Sequence, residues 1–172
     1  GSARGRRLKT VASHKVRPTA DRVKEAVFSM LTSRVDLAGA RVLDLFAGSG
    51  ALGIEALSRG AAHCTFVERD RQVLRVLAEN LNACGFASSS AVVARPVAAA
   101  LAQLSERGSS FDVVLIDPPY ADRVAARVLA ELDCGGLAAP ECFIVVEHPA
   151  DEAVAETKRL RLTRSRRYGK TS

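Results

Sequence analysis

Arg41-Val42-Leu43-Asp44-Leu45-Phe46-Ala47-Gly48-Ser49-Gly50-Ala51-Leu52-Gly53 is the stretch that decides the fold. Its first five residues are a short apolar run ending at a glycine cluster, which reads as a buried strand. Gly48 to Gly53 then satisfies GxGxxG where that strand should hand over to a helix, expected over 51–58. Glycines at such a corner let the backbone turn tightly and approach a ligand, and a carboxylate about 20 residues on takes ribose hydroxyls. Glu68 stands 20 residues after Gly48, at the close of the next apolar run, Cys64-Thr65-Phe66-Val67. The pair points to a nucleoside ligand.

Outward from this corner the chain alternates strand and helix. Helices are expected over 70–83, with Gly85 as terminator, from Pro96 to about Glu106, and over 122–132. Strands are expected at Ala91–Ala94, Phe111–Ile116 and Cys142–Val146. Strands separated by helices of this length build βαβ units, so the fold class is α/β: a Rossmann-like, mostly parallel central sheet with helices on both faces. Upstream, apolar residues at 23, 26, 27, 30 and 31 give one face of a helix over Asp21–Leu31. Residues 158–172 carry a loose strand-like pattern, expected as a terminal hairpin at the sheet edge. The chain divides into a basic N-terminal extension and helix, 1–34, and a catalytic part, 35–172, within one domain.

Length and composition agree. The 172 residues are 48% apolar and 26% charged, an ordinary globular balance, and no apolar run approaches the roughly 20 residues of a membrane span. The opening Gly1-Ser2 reads as a cloning remnant and Met30 is the single methionine, so the natural start is expected upstream. Cys64, Cys84, Cys134 and Cys142 lie apart without CxxC or a nearby His, which disfavours a metal site and favours buried thiols in a reducing cytoplasm. The formal charge of +6 is divided: residues 1–24 hold eight bases and one acid, 158–170 hold seven bases and no acid, and the remainder carries a net −8. Basic runs at both ends of an acidic body attract polyanions, nucleic acid foremost.

Asp44 bears on which nucleoside binds. An NAD-type ligand would set its pyrophosphate on the helix N-terminus. A carboxylate four residues before Gly48 repels a pyrophosphate and suits a cationic ligand such as S-adenosylmethionine, with its ammonium and sulfonium groups; the plainer alternative is an Asp that caps the loop. The second landmark is Asp117-Pro118-Pro119-Tyr120, directly after an apolar strand. Proline fixes φ, lacks an N–H and extends the residue before it. The corner therefore exposes acceptors without competing donors. If the Asp117 carboxylate and the Pro118 carbonyl each accept a hydrogen of a nucleobase amine, its lone pair is aimed at an electrophilic methyl, and Tyr120 offers a stacking face for the base.

With these residues in view, the chain resembles the class I S-adenosylmethionine-dependent methyltransferases, and among them the RsmD-like family that methylates guanine N2 in 16S ribosomal RNA. The resemblance runs through Arg4-Gly5-Arg6-Arg7-Leu8, the segment Arg17-Pro18-Thr19-Ala20-Asp21-Arg22-Val23, Val42 to Gly60, the Asp117–Tyr120 corner, and Arg167-Tyr168-Gly169-Lys170-Thr171. It implies that Ala47, Gly48, Ser49, Gly50 and Glu68 hold the cofactor, with Asp44 and Arg69 beside them. Arg17, Pro18 and Thr19 would line its methionine end. Asp117, Pro118, Pro119 and Tyr120 would hold the target base. Arg4, Arg6, Arg7, Lys9, Arg164, Arg166 and Arg167 are the candidate RNA contacts, ribosomal RNA in a small-subunit particle or assembly intermediate being the implied partner, with neither metal nor membrane. One departure stands out: where such enzymes often carry Asp or Asn to meet the adenine amine, the chain reads Ala94-Arg95-Pro96. Two other readings stay open, an adenine-N6 DNA methyltransferase and a nucleic-acid-binding protein that keeps the fold without chemistry.

Overall fold

The computed structural model describes residues 1–3, 6–10, 18–119, 124–150 and 157–167, with the backbone alone for 18–22. Five strands, β1 (Arg41–Leu45), β2 (His63–Val67), β3 (Ser90–Val93), β4 (Phe111–Ile116) and β5 (Ala138–Val146), pair in parallel in the order β3-β2-β1-β4-β5. The connections are α2 (Ala51–Ser58), α3 (Arg71–Cys84), α4 (Val97–Glu106) and α5 (Val124–Cys134), and α1 (Pro18–Thr32) precedes the sheet. Strand order reverses between β1 and β4. In an open parallel sheet this is where a crevice opens outside the carboxyl ends of the strands.

Alternation along the strands sorts the core into two layers. Val42, Cys64, Phe66, Val113 and Leu115 pack with Phe28 and Leu31 of α1, Ile54 and Leu57 of α2, and Leu77 and Leu81 of α3. Leu43, Leu45, Val67, Val114 and Ile116 face the other way, against Leu101 and Leu104 of α4 and Val128, Leu129 and Leu132 of α5. The helix after the first glycine corner therefore sits on one side of β1, and the helix entered from the Asp-Pro-Pro corner on the other. The α1 helix joins the core through Phe28, whose ring is also covered by the Arg59 guanidinium at 5.1 Å.

Local chemistry sets the boundaries. Asp70 caps α3, its Oδ1 accepting from the N–H groups of Gln72 (2.7 Å) and Val73 (3.1 Å), and Gly85 ends the same helix at φ 78. Gly108, exposed at φ 65, turns the chain from α4 into β4 on the sheet edge opposite the crevice. The fifth strand begins at Ala138, four residues before its expected start, because its parallel pairing resumes beyond an irregularity: Phe111 faces Ala138 whereas Val113 faces Phe143, and Glu141 adopts φ 65 between them.

The terminal segment differs from expectation. Residues 157–167 form no strand, so the anticipated hairpin is absent over them; 168–172 lie outside the described residues. The backbone N–H groups a ladder would need are taken by a side chain. Asp133, buried at the end of α5, accepts from Lys158 (2.9 Å), Arg159 (2.8 Å) and Leu160 (3.0 Å). Of residues 157–167, Leu160 packs against the core, and Leu162 is 66% exposed. The thiols also divide: Cys64 is buried, and burial together with the Asp44 charge holds it well above its usual pKa, but Cys134 is exposed, contrary to the reading of all four as buried. Among the described residues no helix is long and apolar enough to cross a membrane.

Candidate active site

Parallel register builds the site. Leu45 pairs with Val67 on one side and Ile116 on the other, so the residues that follow, Phe46, Glu68 and Asp117, leave three neighbouring strands at one level. Phe46 takes φ 61, a left-handed conformation that costs a bulky residue about 1–3 kcal/mol and turns the chain sharply off β1. Ala47 is fastened to β2 by its N–H on the Val67 carbonyl (3.0 Å), and the N–H of Gly50 closes the turn on the Ala47 carbonyl (2.8 Å).

Asp44 lies beneath this loop, 1% exposed on the face otherwise occupied by apolar residues. Its Oδ2 accepts the N–H of Gly53 at 2.9 Å. Gly50, the N-cap of α2, has no side chain to perform that duty, so the strand supplies the cap from below. Gly53 is required for this approach: a Cβ there would meet Phe66 Cε1 at 2.3 Å and Cys64 Sγ at 2.7 Å. Burial pushes the Asp44 carboxyl up to about 7; the Gly53 hydrogen bond opposes the shift, and the charges of Asp117 and Glu68 add to it. Capping and ligand binding are thus compatible roles for one buried carboxylate.

Glu68 organises the neighbouring strand end. Its Oε2 accepts the N–H of Gly48 (3.1 Å), and its Oε1 accepts those of Arg69 (2.7 Å) and Asp70 (2.9 Å). The carboxylate expected to meet ribose therefore also holds the glycine loop and the start of α3 in place. Asp117 is exposed at the end of β4, followed by Pro118 and Pro119.

A cleft of about 2710 Å³ takes in these pieces: Asp44, Ala47, Gly48 and Ser49, then Glu68, Arg69 and Arg95, then Asp117, Pro118 and Pro119. Arg6 and Arg7 border it from the N-terminal arm, and Arg164 and Arg166 from the terminal segment. Gly50 points inward instead, where a Cβ would strike Leu77 Cδ1 at 2.5 Å. Lys9 is paired with Glu79 (2.9 Å) along α3, and Arg167 is exposed. Pro18 and Thr19 open α1, of whose first residues only the backbone is described; Arg4, Arg17 and Tyr120 lie outside the described residues.

One residue escaped the sequence reading. Asn80, on the buried stripe of α3 with Val73, Leu77 and Leu81, is 2% exposed. Its Nδ2 donates to the carbonyls of Ser49 (2.9 Å) and Lys9 (3.0 Å), and its Oδ1 accepts the N–H of Lys9 (2.8 Å). A polar side chain at helical spacing within an apolar stripe was the available signal.

A doubly wound parallel sheet, a glycine loop at its switch point and an Asp-Pro-Pro corner on the adjoining strand together define the architecture of a class I methyltransferase. Comparison with known proteins narrows this. The family described as Conserved hypothetical protein 95 matches residues 1–172, and the chain belongs to it, among the RsmD-like methyltransferases. YlbH of Bacillus subtilis (strain 168), named as a candidate rRNA methyltransferase, is 40% identical, with 99% of this chain and 92% of that protein covered. Ribosomal RNA small subunit methyltransferase D of Escherichia coli (strain K12) is 39% identical, with 90% of this chain and 75% of that protein covered. The solved structure of a hypothetical protein from Thermus thermophilus superposes with a TM-score of 0.84 at 37% identity, covering 99% of this chain and 92% of that one.

Proposed function

We propose that this chain is an S-adenosylmethionine-dependent methyltransferase acting on the exocyclic N2 of a guanine in small-subunit (16S) ribosomal RNA. One observation carries the reading: Asp44, Glu68 and Asp117 converge at three adjoining strand ends around a glycine loop. Three carboxylates favour a cationic nucleoside over a pyrophosphate. The loop also leaves room, since a Cβ on Gly48 would meet nothing nearer than the Phe46 carbonyl at 3.9 Å.

S-adenosylmethionine supplies an electrophilic methyl. The chain's own residues do the positioning. Glu68 presents its carboxylate to the ribose, Asp44 offers buried negative charge to the amino-acid end, and Arg95 stands in the stretch after β3 where adenine is expected. The Asp117 carboxylate and the Pro118 carbonyl accept the two hydrogens of the guanine amine, Tyr120 stacks the base, and Asp117 receives the proton that the nitrogen sheds as its bond to carbon forms. Residues 1–34 form the basic extension and helix and residues 35–172 the catalytic part. Arg6, Arg7, Arg164 and Arg166 all line the cleft and suit phosphates flanking an extruded base. The names of the Escherichia coli and Bacillus subtilis relatives support ribosomal RNA as the substrate class.

The test is to incubate the protein with labelled S-adenosylmethionine and either naked 16S rRNA or partly assembled small subunits, then digest and analyse nucleosides by mass spectrometry. N2-methylguanosine is the expected product. N6-methyladenosine, or cofactor binding without product on any nucleic acid, would overturn the assignment.

A further inference from the structure

We infer that Asn80 is a positioning residue that couples docking of the basic N-terminal arm to the cofactor loop, so that RNA and cofactor bind cooperatively through it. The inference rests on the proposed methyltransferase reading and assigns a device to that same site.

The geometry is specific. The Asn80 amide makes three hydrogen bonds: Nδ2 gives one hydrogen to the Ser49 carbonyl and the other to the Lys9 carbonyl, while Oδ1 takes the Lys9 N–H. Lys9 is thus gripped by its backbone as a neighbouring strand would grip it, and its ammonium is pinned to Glu79 at 2.9 Å. Arg6 adds a guanidinium bond to the Ala83 carbonyl one turn further along α3. Ser49 sits between two left-handed glycines, Gly48 (φ 56) and Gly50 (φ 84), and so belongs to a backbone with unusual freedom to re-orient. The peptide joining Ser49 to Gly50 is held at both ends: its N–H by the Ala47 carbonyl at 2.8 Å, its C=O by Asn80. Because a single nitrogen serves both Ser49 and Lys9, the arm cannot shift without moving the donor that orients the glycine loop. An arm seated by phosphate contacts therefore favours the loop conformation that accepts cofactor, and by reciprocity bound cofactor favours the seated arm.

Affinity of the full chain for partly assembled small subunits, measured by filter binding with and without saturating S-adenosylhomocysteine, tests this. For the unaltered protein the ligand should tighten RNA binding about five-fold or more, the low end for coupled sites. Asn80→Ala should bring that ratio to within about two-fold of unity. Lys9→Pro, which keeps Asn80 but removes the N–H on its Oδ1 at an exposed position, should reduce the ratio even if Asn80→Ala fails to fold. Lys9→Ala, with backbone bonds intact, should weaken RNA binding and keep the ratio. A merely structural Asn80 would lower both affinities and leave the ratio unchanged, which overturns the inference, as does a ratio of one in the unaltered protein. Failure of the unaltered protein to bind S-adenosylhomocysteine at all would instead sink the methyltransferase reading, and the coupling with it.

Discussion

Asp44 places a charge where apolar packing surrounds it, and its titration should be visible in stability. Its carboxyl is raised from 3.8 to about 7 in the folded chain, so between those values the folded state binds more protons than the unfolded one and stability falls as pH rises. Below pH 3.8 the penalty is absent; above about 7 it is complete, on the order of 4 kcal/mol from the size of the shift. Asp44→Asn keeps an acceptor for Gly53 and removes the charge. The variant should gain over the parent at pH 8 and far less at pH 4, measured by urea unfolding, while its affinity for S-adenosylmethionine drops. An equal gain at both values would mean that the carboxylate is not strained by burial. The other two carboxylates should separate binding from chemistry. Glu68→Ala should weaken cofactor binding by about 1–3 kcal/mol, the cost of stripping hydrogen bonds from a charged acceptor. Asp117→Ala should remove turnover and leave cofactor affinity within a few-fold, as titration calorimetry beside single-turnover kinetics would show. Asp44, Glu68 and Asp117 were legible from local sequence: Asp44 and Glu68 stand at fixed spacings from Gly48, and Glu68 and Asp117 each follow an apolar run. For Asn80 the apolar stripe around it signalled only burial; its partner Lys9 lies 71 residues away, and no local pattern reports a contact of that range.

Elements were legible to the extent that their own residues end them. Asp70 before α3 and Gly85 after it carry the cap chemistry in their side chain and backbone, and the expected helix fell within a residue of the observed one. The fifth strand and the terminal segment depend on partners. Ala138–Glu141 are drawn into the sheet by β4 despite an irregular register, and residues 158–160 are kept from pairing by a carboxylate 25 to 27 positions away. That carboxylate is itself testable. Burial acts to raise the Asp133 pKa, but the three N–H groups of Lys158, Arg159 and Leu160 and the Arg159 charge outweigh it and hold it below the ordinary 3.8. The anchor is then fully in force above that value and is lost as pH falls through the lowered one. Asp133→Ala should expose the Arg- and Lys-rich segment 157–167 to trypsin at neutral pH, with cleavage there preceding any in the sheet. Simultaneous digestion of the whole chain would show that Asp133 supports the core as well.

For the molecule as a whole the governing fact is the division of charge, an acidic body between basic ends. The structure brings basic residues of both ends to the cleft, where Arg6, Arg7, Arg164 and Arg166 contribute to its lining. If Arg6 and Arg7 each neutralise one phosphate, replacing both with Ala should flatten the log–log salt dependence of RNA binding by about 1.4, at about 0.7 per contact on single strands. Cofactor affinity measured without RNA should hold. An unchanged slope would pass the docking role to the terminal segment.

The turn that leads from α4 back into the sheet lies on the edge away from this chemistry. Gly108 marks it: exposed, at φ 65, with nothing within 4 Å of where a Cβ would stand. A fluorophore or affinity handle spliced in at that turn hangs over open solvent behind the sheet. Fused ahead of residues 6–10 or after 157–167, the same handle crowds the segments that border the cleft. For anyone labelling this methyltransferase, the interior of the chain is the gentler place to cut.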